Sequence, residues 1–438
     1  MHYLRTFYRF MTPKYFRLSF LLVLFSLTAF TAKAQEPTDS IPSPDSSAEE
    51  SKSIYNSLMA NAPGMYQTDN LPFVKVAGKD SKFVFGVGGI VKVIAGWDFG
   101  HPIEWPDEFI TSEIPMTPSE GNGSRFAVSA RQTALYLNFV AFPGTKNQVG
   151  AFVAANLLND YQPRLQFAYL RFRGLQAGYD YSLFSDPSCG SPTVDYEGAC
   201  SHTANPLPGI RYTWHPDAAR RWELGAALEL TPTSFTTVED KIEWVDQRFP
   251  DLPLMAKYSW NEGNSWLRAS AILRCMTYRE MLTKSNHNRL GYGFQLSSTI
   301  NFLEKLTFHC QGVWGKGIAS TIQDTIDHEL DLAPSKNGYS LWPVMMWGGF
   351  GSLQYDISSR FVFSLTYSEI RTYVAEYNEG STPWADQLNY TQYFSSNLFF
   401  KATSMLNVGL EYIWGRRANY DGLKHADNRL QFAVEVSF

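Results

Sequence analysis

From Lys82 to the last residue, apolar and polar side chains alternate with period two in one stretch after another, and this rhythm limits the fold more than any other feature of the chain. The final stretch, Arg429–Phe438 (RLQFAVEVSF), shows it plainly. Leu430, Phe432, Val434, Val436 and Phe438 share one parity, and Gln431, Ala433, Glu435 and Ser437 the other. Period two is the mark of a β-strand with one apolar and one polar face. The alternation runs to Phe438, so the chain ends inside a strand whose edge must be paired or covered. After residue 34 no stretch of eighteen apolar residues occurs, so no helical membrane span is expected.

Sixteen such stretches follow one another, the first being Lys82–Trp97 and the second Arg125–Phe142. The second changes phase midway, which predicts a bulge near Gln132–Ala134. The links between stretches differ in length in a regular way. Odd links are mostly long (98–124, 185–207, 233–250, 315–343) and even links mostly tight (143–148, 173–174, 216–220, 261–264), with 158–163 the main exception. Long and short links therefore lie at opposite ends of one body. The fold class expected is all-β, a transmembrane antiparallel β-barrel of sixteen strands over residues 81–438, with long extracellular loops and short periplasmic turns. Arg211, Glu223, Glu229, Arg268, Arg274, Gln311, Glu411 and Glu435 fall opposite the large apolar residues. Charge is costly against lipid but not against water, so this placement predicts a polar, water-filled lumen. The 31 phenylalanines, 24 tyrosines and 12 tryptophans suit an outer face set in lipid and lipopolysaccharide.

The N-terminus predicts export. Arg5, Arg9, Lys14 and Arg17 precede the apolar run Leu18–Phe30 and the small-residue site Ala32-Lys33-Ala34, which together read as a signal peptide over 1–34. Residues 35–80 read as a periplasmic leader. The leader is expected to be largely disordered, above all its Pro/Ser-rich, acidic part Gln35–Ser53, with a short helix over Ile54–Ala60 as the alternative to disorder there. Docking of this leader to a periplasmic or outer-membrane protein is one role it could serve. A net charge of −5 argues against a nucleic-acid partner.

The link 185–207 carries the densest local chemistry. Cys189 and Cys200 bracket ten residues, and in an oxidising compartment they predict a disulfide. The same link holds Asp186, Asp195 and Glu197, and the predicted inward side chains include Arg125, Arg131, Arg211, Arg268 and Arg274. Two readings stand. An acidic loop opposite an arginine wall would set a transverse field across a narrow eyelet and sort small polar solutes; alternatively, the charges pair and keep the lumen wet. Cys275 and Cys310 fall on apolar faces and read as free thiols, while His309 and Gln311 point inward. Asp324, Asp327, Glu329 and Asp331 read as a solvated acidic face, with a surface calcium site as the alternative. No nucleophile elbow, nucleotide loop or zinc-peptidase spacing is present, so no catalytic residue, cofactor or metal is expected.

Three patches carry a family resemblance: FVKVAGKDSKFVFGVGGIVKVIAGWDF (Phe73–Phe99), SARQTALYLNF (Ser129–Phe139) and RLQFAYLRFRGLQAGYDYSLFSD (Arg164–Asp186), with the terminal Phe438. With them the chain resembles the Gram-negative outer-membrane porin superfamily and, within it, the DcaP-like porins. The resemblance implies an outer-membrane homotrimer that passes small hydrophilic solutes, often anionic, by diffusion, with 185–207 as the constriction loop. It does not extend to the N-terminal coiled-coil segment common in that family, nor to the Cys189/Cys200 pair. Two alternatives from other classes are a fatty-acid-type barrel transporter, with a small plug drawn from residues 54–79, and a structural or adhesive barrel displaying its long loops.

Overall fold

Each alternating stretch becomes a strand. The structure, a computed structural model, describes residues 55–63, 74–77, 82–116, 123–235, 238, 240–374 and 385–438. Residues 1–34, read as a signal peptide, and most of 35–80, read as a leader, lie outside the described residues. Residues 55–61 form a helix, α1, where the sequence reading favours disorder, with a short helix over Ile54–Ala60 as its alternative. The strands are β1 (Val74–Ala77), β2 (Phe83–Phe99), β3 (Ser124–Ser129), β4 (Ala134–Ala141), β5 (Val149–Asn159), β6 (Gln162–Phe172) and β7 (Leu175–Tyr181). They continue as β8 (Pro206–Trp214), β9 (Trp222–Glu229), β10 (Ile242–Glu243), β11 (Leu252–Trp260), β12 (Ser265–Glu280), β13 (Ser285–Leu303) and β14 (Leu306–Lys316). The last are β15 (Leu332–Pro334), β16 (Leu341–Pro343), β17 (Met345–Asp356), β18 (Phe361–Thr372), β19 (Leu388–Lys401), β20 (Leu406–Asn419) and β21 (Lys424–Ser437).

Consecutive strands pair antiparallel, and β21 returns to β2 with Lys92 opposite Glu435 and Asp98 opposite Arg429. The result is a closed barrel of sixteen strands, β3 and β4 counting as two halves of one. Closure satisfies the backbone groups that an open sheet would leave bare in lipid. The last residue takes part: the Phe438 amide donates to the Gly89 carbonyl at 3.0 Å, and the Gly89 amide to the Phe438 carbonyl at 2.9 Å. Beyond that point β1 takes over the same edge of β2, from Val74 opposite Val87 to Ala77 opposite Val84.

Two boundaries differ from the sequence reading. The phase change of the second stretch is a wider break than a bulge, over residues 130–133, where the Thr133 amide donates to the Ala130 carbonyl at 3.1 Å. The stretches 279–288 and 418–428, where the alternation lapses in the sequence, are mostly strand: β12 and β13 pair out to Glu280 opposite Ser285, and β20 and β21 to Ala418 opposite Lys424. Polar residues on both faces hide the alternation there.

The two faces separate as period two requires. Trp97, Leu228, Leu273 and Phe432 are 50%, 54%, 50% and 45% exposed, whereas Arg274, Arg429 and Gln431 are at most 1% exposed. Large apolar residues exposed around the whole circumference mark a lipid face. The interior holds more than the polar lining expected from parity. Residues 100–116 of the 100–123 link and the links 182–205 and 317–344 fold inward, and their Ile103, Phe109, Phe184, Ile318, Ile322 and Leu330 form one buried core with the inward Ile272, Val313, Met346, Ile370 and Ile413. Apolar residues on the links meet apolar residues on the wall, and burial of both removes them from water.

Candidate functional site

The inward residues of seven strands build a frame that the 182–205 link crosses from side to side. It starts at β12 and β13, where Asp186 accepts from the Trp266 indole at 3.1 Å and the Ser297 hydroxyl at 2.6 Å. In mid-course Ser191 meets Thr366 at 3.1 Å and Ser352 at 2.6 Å, and the Pro192 carbonyl accepts from Asn397 at 2.8 Å. At the far wall the Val194 carbonyl accepts from Lys92 Nζ at 2.9 Å, and Glu411 accepts from the Val194 and Asp195 amides at 3.0 and 2.8 Å. Serine, threonine and amide side chains on the inward parity of β17–β20 thus serve a polypeptide strap. They were present in the alternation but carried no charge to draw notice.

The bracketing cysteines are not joined. Cys189 and Cys200 are both free and buried. Cys189 lies 3.0 Å from the Asp186 carbonyl, while Cys200 packs in the loop core and lies 3.2 Å from the Ser368 hydroxyl on β18. The strap is pinned to the wall by many hydrogen bonds, which replaces the predicted disulfide as its restraint. Cys275 and Cys310 are also free and half-buried.

The five arginines hold different links and do not form one wall. Arg125 bonds Asp98 at 3.1 Å and the Ile103 and Glu104 carbonyls. Arg131, turned in by the break between β3 and β4, is buried against Asp107 at 2.8 Å, Glu108 and the ring of Trp105. Both secure the 100–123 link. Arg274 secures the 317–344 link through Asp331 at 2.8 Å, and it bonds Asp251 at 2.9 Å. Only Arg268 meets the strap: it donates to the Leu183 carbonyl at 2.6 Å and to the Ser185 carbonyl, with Asp186 at 3.9 Å. Arg211 lies nearby on β8 and pairs with Asp180.

The three acidic residues of the strap separate as well. Burial alone would raise the Asp186 carboxyl, but the Arg268 and Lys257 charges and the Ser188 and Ser297 hydroxyls hold it down at about 2. Asp195 turns its carboxylate to the 100–123 link, accepting from the Phe109 amide at 2.8 Å; burial and the neighbouring Glu411 push it up to about 8. Glu197 accepts from Gln323 of the 317–344 link and is pushed well up by burial and by Glu108 and Asp324. Asp324 and Asp331 are buried and not a solvated face. Asp324 accepts from the Thr111 amide at 2.6 Å, and burial raises it to about 7. Among the described residues no three His, Cys, Asp or Glu side chains converge on a metal-binding arrangement.

Below the strap, toward the short turns, a cavity of about 940 Å³ remains. Arg171, Arg211 and Arg268 line its depth, Lys257 its side, and Lys146, Arg173 and Arg220 its rim; the carboxylates are Asp180, Asp186 and Glu223. Lys257 stands opposite both Glu223 and Arg268 in the strand register, with its Nζ 4.4 Å from the Trp266 ring. Five of these seven cations escaped the sequence reading: Lys146, Arg173 and Arg220 lie in tight turns, and Arg171 and Lys257 near strand ends. The signal was there: the even links 143–148, 173–174 and 216–220 each carry a basic residue.

No protein-family model and no curated protein sequence matches the chain. Among solved structures it is similar to the outer membrane channel DcaP of Acinetobacter baumannii, at 17% identity and a TM-score of 0.70 over 83% of this chain and 99% of that one. It is also similar to OmpF of Salmonella typhi, at 9% identity and a TM-score of 0.52 over 83% of this chain and 100% of that one. The chain therefore has the sixteen-stranded fold of the outer-membrane porins, of which DcaP is one.

Proposed function

We propose that the chain is a passive outer-membrane channel for small hydrophilic solutes, with a preference for anions set in the short-turn vestibule. The observation that carries this reading is the vestibule's lining, in which Lys146, Arg173, Arg220 and Lys257 have no carboxylate within ion-pair distance among the described residues. A cleft in which one sign of charge predominates, here seven cations against three carboxylates, focuses its field between low-dielectric walls and concentrates counter-ions. At the inner end Arg268 and Asp186, 3.9 Å apart, set opposite charges side by side where a dipolar solute would meet the strap. In this reading the apolar band faces lipid and lipopolysaccharide, and assembly as a homotrimer follows from the resemblance to porins. The fatty-acid transporter would share an N-terminal segment inside the barrel, but the charged cavity beside that segment favours polar solutes.

Reversal potentials in planar bilayers under a salt gradient test the proposal. The expected result is chloride permeability above potassium permeability, with the ratio falling by roughly threefold or more when Lys146, Arg173, Arg220 and Lys257 are all replaced by alanine. Folded protein without ohmic conductance would overturn the channel reading. A ratio that survives all four substitutions would overturn the vestibule as its source.

A further inference from the structure

The helix α1 and the two residues after it, 55–63, lie inside the barrel on a surface shaped for them. That surface is the inward face of β4, β5 and β6. Leu58, fully buried, packs between Val84 and Val140, while Met59 and Ala62 cover the aromatic patch of Tyr136, Phe152, Phe167 and Tyr169. Without this cover the patch would face the bore, where apolar surface costs free energy in contact with water.

Polar contacts set its position. Asn61 Nδ2 donates to Asn138 Oδ1 at 2.7 Å, and Asn138 Nδ2 returns a bond to the Leu58 carbonyl at 2.8 Å. The Tyr169 hydroxyl donates to the Asn61 carbonyl at 2.8 Å. Gly150 leaves the space that Asn61 fills, since a Cβ there would stand 1.9 Å from Asn61 Oδ1. The C-terminal carbonyls of the helix are met by one cation: Arg171 Nη1 donates to the Ala60 carbonyl at 2.9 Å and the Ala62 carbonyl at 3.3 Å. A guanidinium at a helix C-terminus satisfies orphan carbonyls and complements the dipole. Ala60, Asn61 and Arg171 also line the vestibule.

We propose that residues 55–63 are a stopper seated in the short-turn mouth, that Arg171 is its latch, and that anionic solutes of the carboxylate or phosphate class release it. An α-helix is about 10–12 Å across, so it takes up a substantial part of the mouth. Arg171 faces two ways. Its Nη1 holds the helix carbonyls, while its Nε donates to Gln176 at 2.5 Å and its Nη2 stands 4.0 Å from Asp180. An oxyanion binds a guanidinium more strongly than a neutral carbonyl does, because both partners are ionised and two parallel bonds form. An oxyanion at Arg171 thus competes directly with the helix. The solute that the vestibule attracts is then also the one that widens its path. This second part rests on the anion-channel reading; the seating of the helix does not.

Amide hydrogen exchange of residues 55–61 in the full-length protein, read beside single-channel conductance, tests both parts. Arg171→Ala should speed exchange about tenfold or more, since it removes charge-assisted hydrogen bonds. Gly150→Ala, which leaves the cations in place, should do the same by collision with Asn61. Deletion of 55–63 should raise conductance roughly twofold, in proportion to the cross-section it clears. Inorganic phosphate should speed exchange in the wild type, relative to chloride at equal ionic strength, and leave Arg171→Ala unchanged. Exchange unaltered by both substitutions would overturn the stopper. Equal exchange in phosphate and chloride would overturn the release by anions. If the wild type and the deletion are both silent in the bilayer, the channel reading fails, and the exchange data still decide whether the helix is seated.

Discussion

Replacing Arg274 by alanine should destabilise the packed interior by about 3–5 kcal/mol, the cost of leaving buried carboxylates without their cation. Arg274 is 1% exposed and bonds Asp251 at 2.9 Å, Asp331 at 2.8 Å, the Gly317 carbonyl at 2.7 Å and the Ser320 hydroxyl at 2.8 Å. It therefore joins β12, the end of the link before β11 and both ends of the inward turn of 317–344. Its removal strands two acids, of which Asp331 is fully buried and also accepts from the Ser234 amide at 3.0 Å. The barrel ladder itself does not depend on these contacts, so the strands should stay closed while the 317–344 link comes away from the wall. Denaturant unfolding in lipid vesicles reads the loss of stability, and protease cleavage within 317–344 reads the release. Arg274→Met combined with Asp251→Asn and Asp331→Asn should recover part of the loss, because apolar or neutral groups replace charges that no longer need a partner. Stability of Arg274→Ala within about 1 kcal/mol of the wild type would show that these ion pairs are not what holds the link.

Raising the pH from 5.5 to 8.5 should loosen the strap and increase conductance, and the sign follows from two carboxyls. Asp195 is pushed up to about 8 and Asp324 to about 7, chiefly by burial. Released into water, each would ionise in the ordinary range near 4. A carboxyl whose value is raised in the packed state stabilises that state below its ordinary value. The stabilisation is then lost progressively as pH rises through the packed-state value. The window is therefore about pH 4 to 8, with the packed interior favoured on the acid side. The surroundings of both groups agree with this sign. Asp195 faces Glu411 on β20, with Lys92 on β2 and Arg429 on β21 as the cations within reach, and Lys92 is already shared with Glu435 at 3.9 Å. Asp324 meets Glu113 and Glu197, and its Oδ1 is buried without a hydrogen-bond partner. Asp186, held at about 2, stays ionised throughout and takes no part. Amide exchange across 182–205 and conductance across the pH range measure the effect. Asp195→Asn with Asp324→Asn should flatten both curves, and a wild type whose exchange in this link is independent of pH would disprove the assignment.

The two predictions concern parts of the molecule that differ in how far they could be read in advance. Inward placement of Arg211, Arg268, Arg274, Gln311 and Glu411 followed from strand parity, because period two assigns each residue to a face. What lay opposite them did not follow. Arg131 finds Asp107, twenty-four residues away, because the break between β3 and β4 turns it toward the 100–123 link. Arg274 finds Asp331, fifty-seven residues on, because the 317–344 link folds back inside. Parity gave charges on the inner face and so suggested water there; the same charges in fact anchor inward loops. The loop residues Ile103, Phe109, Ile318, Ile322 and Leu330 have no periodic pattern, so nothing marked them as core. The Cys189/Cys200 reading failed for a related reason. Spacing in sequence says how far two thiols can reach, while the path of the strap sends one toward β14 and the other toward β18.

The alternation alone determined that this chain is a closed barrel of sixteen strands, which residues face lipid, and that Arg429–Phe438 pairs with the first barrel strand. These are local or closure properties. Each depends on the two-residue repeat of a strand and on the requirement that no backbone group be left unpaired in lipid. The filling of the barrel was decided only by tertiary structure. The strap, the inward links, the seated helix 55–63 and the cationic vestibule depend on contacts between residues distant in sequence, which have no period to betray them. Their positions follow from which apolar side chains can be removed from water together and which buried charges find a partner.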